Sequence, residues 1–243
     1  GGNCVNLAVY AKMFGAKRSA YMGYFGNDAE AEHVMYALDD IGIETVKCKQ
    51  LEGENGCARA TLVDGDRVFL GSNEGGIRGK TPYVHSGNYC FMEKELPKIH
   101  EAGVPISFDF SDDSEDSYYA EVAPTVDYAF CSFDGTDEEA REHLKKIVSY
   151  GPKLAVASRG ADGCILYDGQ EYYVQKAVPI KEVVDTMGAG DSLITSFMVA
   201  YTDHLKKGIT GETAIRESLA AAAEFASKVC GMNGAFGYGK KYE

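Results

Sequence analysis

The apolar positions along this chain switch repeatedly between helical and strand spacing. After Gly1-Gly2-Asn3-Cys4-Val5-Asn6 they recur with helical period to about Phe14, and Gly15 follows, which predicts a first helix. Ser19 to Phe25 reads as a strand, and Gly26-Asn27-Asp28 opens a second amphipathic helix through Val34, Leu38 and Ile41 that ends at Gly42. Thr45 to Leu51, Cys57 to Val63 and Arg67 to Asn73 read as three short strands, the last two joined at Asp64-Gly65-Asp66, a strong hairpin signal. Strands then follow at Tyr83 to Cys90, Pro105 to Ser111, Val126 to Ser132 and Lys153 to Ser158. A helix around Glu93 to Glu101 separates the first two, and Thr136-Asp137-Glu138-Glu139 caps another that runs to Tyr150. Cys164 to Tyr167 and Glu171 to Val178 form a hairpin around Asp168-Gly169, and Asp185 is expected to end a strand. A helix begins within Gly188 to Asp191, and an alanine-rich one spans Thr213 to Val229. Alternation of strand and helix with one antiparallel insert predicts an α/β fold: a mostly parallel central sheet with helices on both faces, plus a small β excursion at about 44–80.

Composition narrows the class. A chain of 243 residues buries roughly 70 to 75 per cent of its unfolded surface, so one domain over 1–243 is favoured over two small ones. With 45% hydrophobic residues the composition is globular, and no apolar run reaches the ~20 residues that span a bilayer. No charged n-region with an apolar core opens the sequence. Cysteines at 4, 48, 57, 90, 131, 164 and 230 are odd in number and scattered, without a CxxC pair, and read as reduced core residues of a cytoplasmic protein. A net charge of −13 argues against nucleic acid and anionic membranes as partners. A nucleotide would have to be held by local backbone donors.

The stretch that carries chemistry is Asp185-Thr186-Met187-Gly188-Ala189-Gly190-Asp191-Ser192. A helix starting inside it leaves unpaired N–H groups pointing out of a glycine turn, and its dipole adds about half a positive charge there. Gly188 and Gly190 admit a phosphate without a Cβ in the way. Asp191 then stands beside the anion, placed to accept the proton of an attacking hydroxyl. The alternative is that Asp191 and Ser192 are ordinary capping residues worth about 1 kcal/mol. Other patterns fail on inspection. Gly234-Ala235-Phe236-Gly237-Tyr238-Gly239-Lys240 has Walker A spacing, but Lys241 follows where Ser or Thr is required. The 188–193 turn lacks the third glycine of a dinucleotide site, and Ser192 has no Gly-x-Ser-x-Gly elbow.

Asp-Thr-Met-Gly-Ala-Gly-Asp-Ser resembles the C-terminal signature of the ribokinase-like (PfkB) carbohydrate kinases, and Gly-Gly-Asn…Asn-x-Ala resembles their N-terminal one. The resemblance covers nearly the whole chain and implies a ribokinase-like fold whose β-sheet lid is the 44–80 insert. It implies an ATP- and Mg²⁺-dependent kinase, with K⁺ as a further ion, that moves the γ-phosphate to a sugar hydroxyl. Asp191 is then the base, Gly188, Ala189 and Gly190 the anion hole, and Gly2, Asn3 and Asn6 sugar contacts. Asn3 taken alone reads equally as a helix N-cap, and Asp28 most simply does. Ser158, Gly160 and Gly163, in Ser158-Arg159-Gly160-Ala161-Asp162-Gly163, resemble the family's nucleotide turn, and Asn233 and Gly234 would line the base and a monovalent-cation loop with Asp185.

Two segments point within the family to members acting on fructosamines. These are Asp66-Arg67-Val68-Phe69 followed by Glu74-Gly75, which makes Arg67 and Glu74 substrate contacts, and Phe108-Asp109-Phe110-Ser111-Asp112, which puts Asp109 at a strand end facing ligand. The implied substrate is a fructosamine such as fructoselysine, phosphorylated at its 6-hydroxyl. A solvated charged rim and an acidic loop from Ser111 to Asp116 are the plainer readings of these two segments. Where relatives carry Asn-x-x-Glu for Mg²⁺, this chain has Cys131-Ser132-Phe133-Asp134, so Asp134 would have to act through water. That departure keeps a second possibility open, a sugar-binding pseudokinase, beside another sugar or nucleoside kinase of the family. The resemblance implies a first strand ending in a substrate-binding Asp before Gly1-Gly2; as the chain opens without methionine, that strand is expected to be left out of this sequence, the alternative being that substrate is not bound in the family manner. Pairing through the lid would make a homodimer.

Overall fold

In the computed structural model, residues 2–46, 48–63, 66–73, 85–88, 93–112 and 115–238 are described. They fall into two compact units, one of Gly1–Thr81, Pro179–Gly208 and Glu224–Glu243, the other of Pro82–Val178 and Ile209–Ala223.

The second unit holds a six-stranded sheet in the order β12-β11-β10-β9-β8-β7. β7 (His85–Gly87), β8 (Ser107–Asp109), β9 (Tyr128–Ser132) and β10 (Leu154–Ser158) run parallel. β11 (Cys164–Tyr167) and β12 (Tyr172–Gln175) complete the sheet antiparallel. Near-continuous apolar runs make β9 and β10 buried central strands, as parallel strands covered on both faces require. Neighbouring strand residues point to opposite faces, and β12 shows what covers each. The Tyr172 hydroxyl donates to the Arg141 carbonyl of helix α5 (Asp137–Ser149), whereas the Tyr173 ring lies under the Arg216 guanidinium of helix α7 (Gly211–Cys230). Helices α3 (Leu96–Glu101), α4 (Asp116–Val122) and α5 contribute to a core around Phe108, Phe110, Tyr119 and Leu144. Each such side chain contributes about 1.5 to 3 kcal/mol on burial. After Ser111 and Asp112 in a turn, the chain enters α4 at Asp116, so the acidic-loop reading of Ser111 to Asp116 overlaps the helix only at its last residue; the buried face of α4, Tyr119 and Val122, is too small to show a period.

In the first unit, helix α1 (Asn3–Met13) packs on α6 (Ala189–Lys206), and α2 (Ala29–Ile41) is bounded by the Asp28 cap and a left-handed Gly42. The stretch Ser19 to Phe25 is not one strand but two, β1 (Ala20–Tyr21) and β2 (Tyr24–Phe25). They pair in parallel with β3 (Glu44–Thr45) and β4 (Lys49–Gln50). The Thr45 to Leu51 segment therefore belongs beside β1 and β2, and the antiparallel insert is the hairpin of β5 (Cys57–Val63) and β6 (Asp66–Asn73). Asp185 ends no strand: the chain from Lys176 to Thr186 is irregular. The expected strand at Tyr83 to Cys90 contains β7, and its remainder lies largely outside the described residues.

Among the described residues, no helix is long and apolar enough to cross a membrane. Cys4, Cys48, Cys131, Cys164 and Cys230 form no disulfide, and burial pushes the thiols of Cys131 and Cys164 up to about 12. The start of α5 is fixed by a complete capping box. The Thr136 hydroxyl accepts from the Glu139 amide at 3.3 Å, and the Glu139 carboxylate accepts from the Thr136 amide at 2.8 Å. Thr136→Ala is expected to cost about 1 kcal/mol, read as a fall of about 2 to 4 °C in Tm by calorimetry. An unchanged Tm would show that the box contributes nothing.

Candidate active site

The α6 N-terminus is set by Gly188, left-handed at φ 77, with no side-chain cap. Asp191 and Ser192 are therefore not its caps. The Ser192 hydroxyl donates back to the Ala189 carbonyl at 2.7 Å, and the Asp191 carboxylate Oδ2 accepts from Asn6 Nδ2 at 2.6 Å. A helix starting at Ala189 leaves the amides of its first turn without intrahelical acceptors. The Ala189 amide is taken by the Thr186 carbonyl at 3.1 Å, and the Ser192 amide by the Gly188 carbonyl at 2.8 Å. Gly190 and Asp191 lie between these two. Gly190 is exposed, and a Cβ there would meet nothing within 4 Å. An anion can approach at that residue.

Gly188 is a glycine for a different reason. A Cβ on it would stand 2.1 Å from the Tyr10 hydroxyl and 3.2 Å from the Ala235 Cβ, and its φ favours glycine in any case. Asp185 is fully buried, with Oδ1 accepting from the Met187 amide and Oδ2 from the Gly234 amide, both at 2.9 Å. Val184 and Asp185 in turn donate their amides to the Cys230 carbonyl. The carboxylate thus fastens the end of α7 and the loop carrying Asn233 and Gly234 to the turn before α6. These two amide partners make the Asp185 side chain a staple between loops.

On α1, Gly2 is the exposed residue before the helix, at φ 86, and Asn3 is the first helical residue, so Asn3 is not the N-cap. Asn6 is 1% exposed; with Nδ2 given to Asp191, its Oδ1 has no partner among the described residues. Burial pushes the Asp191 carboxyl above its ordinary range, and the Asn6 donor works against that rise. Asp28 caps α2 through the Ala31 amide at 2.9 Å, as its position before that helix predicts.

In the other unit, Asp109 closes β8, its Oδ1 accepting from the amide of Ser111, whose φ is 56. Ser158 ends β10 beside Ser132, 3.4 Å between hydroxyls. Gly160 is open at φ 53, whereas a Cβ on Gly163 would stand 2.1 Å from the Gln175 carbonyl oxygen. Asp134 is exposed, and among the described residues there is no group of three or more His, Cys, Asp or Glu that could hold a metal. A lone carboxylate suits an ion that keeps most of its waters, as Mg²⁺ does. Arg67 lies on β6, with its backbone alone described, and Glu74 lies outside the described residues. Tyr10 is a part of the site that the sequence reading omits, although its spacing of four from Asn6 on one helix is the signal that would have found it.

The Asn6 donor favours the ionised form of Asp191, so Asn6→Leu is expected to move the acid limb of the kcat/KM profile to higher pH. A limb that stays in place or moves down would show that the bond does not tune Asp191. In the same way, Gly188→Ala is expected to lower Tm well beyond Gly190→Ala, because only the former meets Tyr10; equal losses in calorimetry would contradict the packing argument.

Residues 1–236 match the pfkB family carbohydrate kinase family. The chain is 39% identical to the fructosamine kinase FrlD of Bacillus subtilis (strain 168), over 100% of this chain and 87% of that protein. It is 30% identical to the fructoselysine 6-kinase of Escherichia coli (strain K12), over 92% and 88%. Its fold is like that of Arabidopsis thaliana ribokinase complexed with ribose and ATP, with a TM-score of 0.76 at 21% identity, over 97% of this chain and 82% of that one. With the family and its fold both matched, the chain belongs to the PfkB family of carbohydrate kinases, phosphotransferases that use an alcohol group as acceptor.

Proposed function

We propose that this protein is an ATP-dependent fructosamine kinase that phosphorylates the 6-hydroxyl of an Amadori sugar such as fructoselysine. The observation that carries the reading is the 2.6 Å bond from Asn6 to Asp191 beside the Gly190 turn, where a Cβ would meet nothing within 4 Å. It sets a carboxylate, an amide oxygen with no partner among the described residues and a helix N-terminus next to one another. Asp191 takes the proton of the attacking sugar hydroxyl as that oxygen bonds to the γ-phosphorus. The bond from phosphorus to the bridging oxygen of ATP breaks, and ADP leaves with its electron pair. The amides of Gly190 and Asp191 lie where charge gathers on the transferred group. Asn6 Oδ1 would accept from a second sugar hydroxyl, which holds the acceptor against Asp191. Mg²⁺, arriving with the nucleotide, would screen its phosphates, and Asp134 is the carboxylate of this chain offered to its waters.

The choice of a fructosamine over ribose or fructose is supported by the two fructosamine-acting relatives, at 39% and 30% identity. The deciding assay compares ATP consumption with fructoselysine, fructose, ribose and adenosine. The fructosamine should give the highest kcat/KM, and a preference for any of the other three defeats the substrate assignment.

Asp191→Asn should lower turnover by about 10² to 10⁴ with little change in KM. Its stability moves the other way. A carboxyl whose pKa is raised by folding contributes stability at low pH that is lost as pH rises through its folded value. The variant should therefore match the wild type in Tm in acid and melt higher at neutral pH. A melting point below that of the wild type at pH 7 would mean that the ionised carboxylate stabilises the fold.

A further inference from the structure

Tyr10 stands four residues after Asn6 on α1, so the two side chains leave the helix on one face. Asn6 meets Asp191, and Tyr10 meets the turn three residues earlier. The Tyr10 ring is fully buried, edge-on to Phe225 and Phe236 with centroids 6.0 and 6.3 Å away, and its hydroxyl donates to the Ala235 carbonyl. The same hydroxyl occupies the space behind Gly188 that a Cβ would need, 2.1 Å from where that atom would stand. One phenol therefore touches the N-cap of α6 and the loop that carries Asn233 and Gly234. Asp185 ties these two pieces together through the Met187 and Gly234 amides.

We propose that Tyr10 is a positioning residue for phosphoryl transfer. Its hydroxyl holds the Gly188 turn in register with the 233–236 loop, and so sets where the Gly190 and Asp191 amides point. Burial, followed by the charge of Asp191, raises its pKa far above the ordinary phenol value, so it stays a donor throughout the working range and does not compete with Asp191 for the substrate proton. Fixing this register matters because misplacing a reacting group by about 1 Å can cost on the order of 10² in rate.

The inference rests on the kinase reading, and the two can fail separately. Tyr10→Phe keeps the ring and removes the hydroxyl. Turnover should fall about ten- to a hundredfold, with the sugar KM within about twofold of wild type and the acid limb of the pH profile unmoved. Wild-type turnover in Tyr10→Phe, or a raised KM at constant kcat, overturns the proposal. If the wild type phosphorylates no sugar, the kinase reading has failed and amide hydrogen exchange decides: loss of the hydroxyl should speed exchange at residues 186–191 and 233–236 together. Faster exchange in one segment alone, or in neither, overturns the coupling. Should Tyr10→Phe not accumulate as folded protein, Phe236→Leu removes the ring that packs on Tyr10 and is read the same way, a joint rise being expected and a rise confined to 233–236 counting against it.

Discussion

The hydrogen bond from Asn6 to Asp191 joins residues 185 positions apart and sets what the rest of the site must provide. In the proposed reaction the carboxylate has to be ionised to act as a base, yet taking it out of water disfavours the charge. Two local features oppose that cost. The Asn6 amide donates to the charged form, and the first turn of α6 offers its dipole. Desolvation is the largest effect, and the carboxyl remains above its ordinary range. A base of raised pKa accepts a proton more readily than an ordinary aspartate, so in the proposed reaction the imperfect compensation would be useful. The packing of α1 on α6 follows from it, since Asn6 reaches Asp191 only from a helix laid against that N-terminus.

Glycine at three positions of this chain answers two different demands. Gly188 adopts φ 77 and leaves room for the Tyr10 hydroxyl, so its missing Cβ serves packing. Gly163 keeps its turn within reach of the Gln175 carbonyl, again a matter of protein against protein. Gly190 alone of these opens to solvent, and its missing Cβ serves approach from outside. A motif that looks uniform as letters thus separates into a residue that shapes the turn and a residue that leaves it open.

Much of this was legible in the chain. The Asp28 and Gly42 ends of α2, the Thr136 capping box, the β5–β6 hairpin and the extent of α7 each rest on local signals, and local signals survive folding. The Ser19 to Phe25 and Thr45 to Leu51 segments misled because the strands they meet are only two residues long, too short for alternation to declare a partner. The apolar Val183 and Val184 imitate a strand before Asp185, but both are exposed, and the Val184 and Asp185 amides go to the last carbonyl of α7 instead of a sheet. The contiguous 185–192 motif was readable as a helix start. Its pairing with Asn6, and the support from Tyr10, were not, because no local rule links positions so far apart.

The net charge of −13 runs against the proposed chemistry, since it repels a nucleotide. Screening resolves the conflict. At physiological ionic strength exposed charges beyond roughly 8 Å count for little, so the anion responds to what lies within a few ångströms of it. There the chain offers amide hydrogens and a helix dipole, which need no lysine and leave the net charge free to remain acidic. The same local design places a single carboxylate beside those amides. Asp191 accepts a hydrogen bond from the uncharged Asn6 amide, which favours its ionised form less than an ion pair would, so the carboxylate is left able to take up a proton and become neutral. A lysine in place of Asn6 would neutralise the carboxylate and depress its pKa, trading basicity for charge balance; an uncharged amide leaves the base both ionisable and basic.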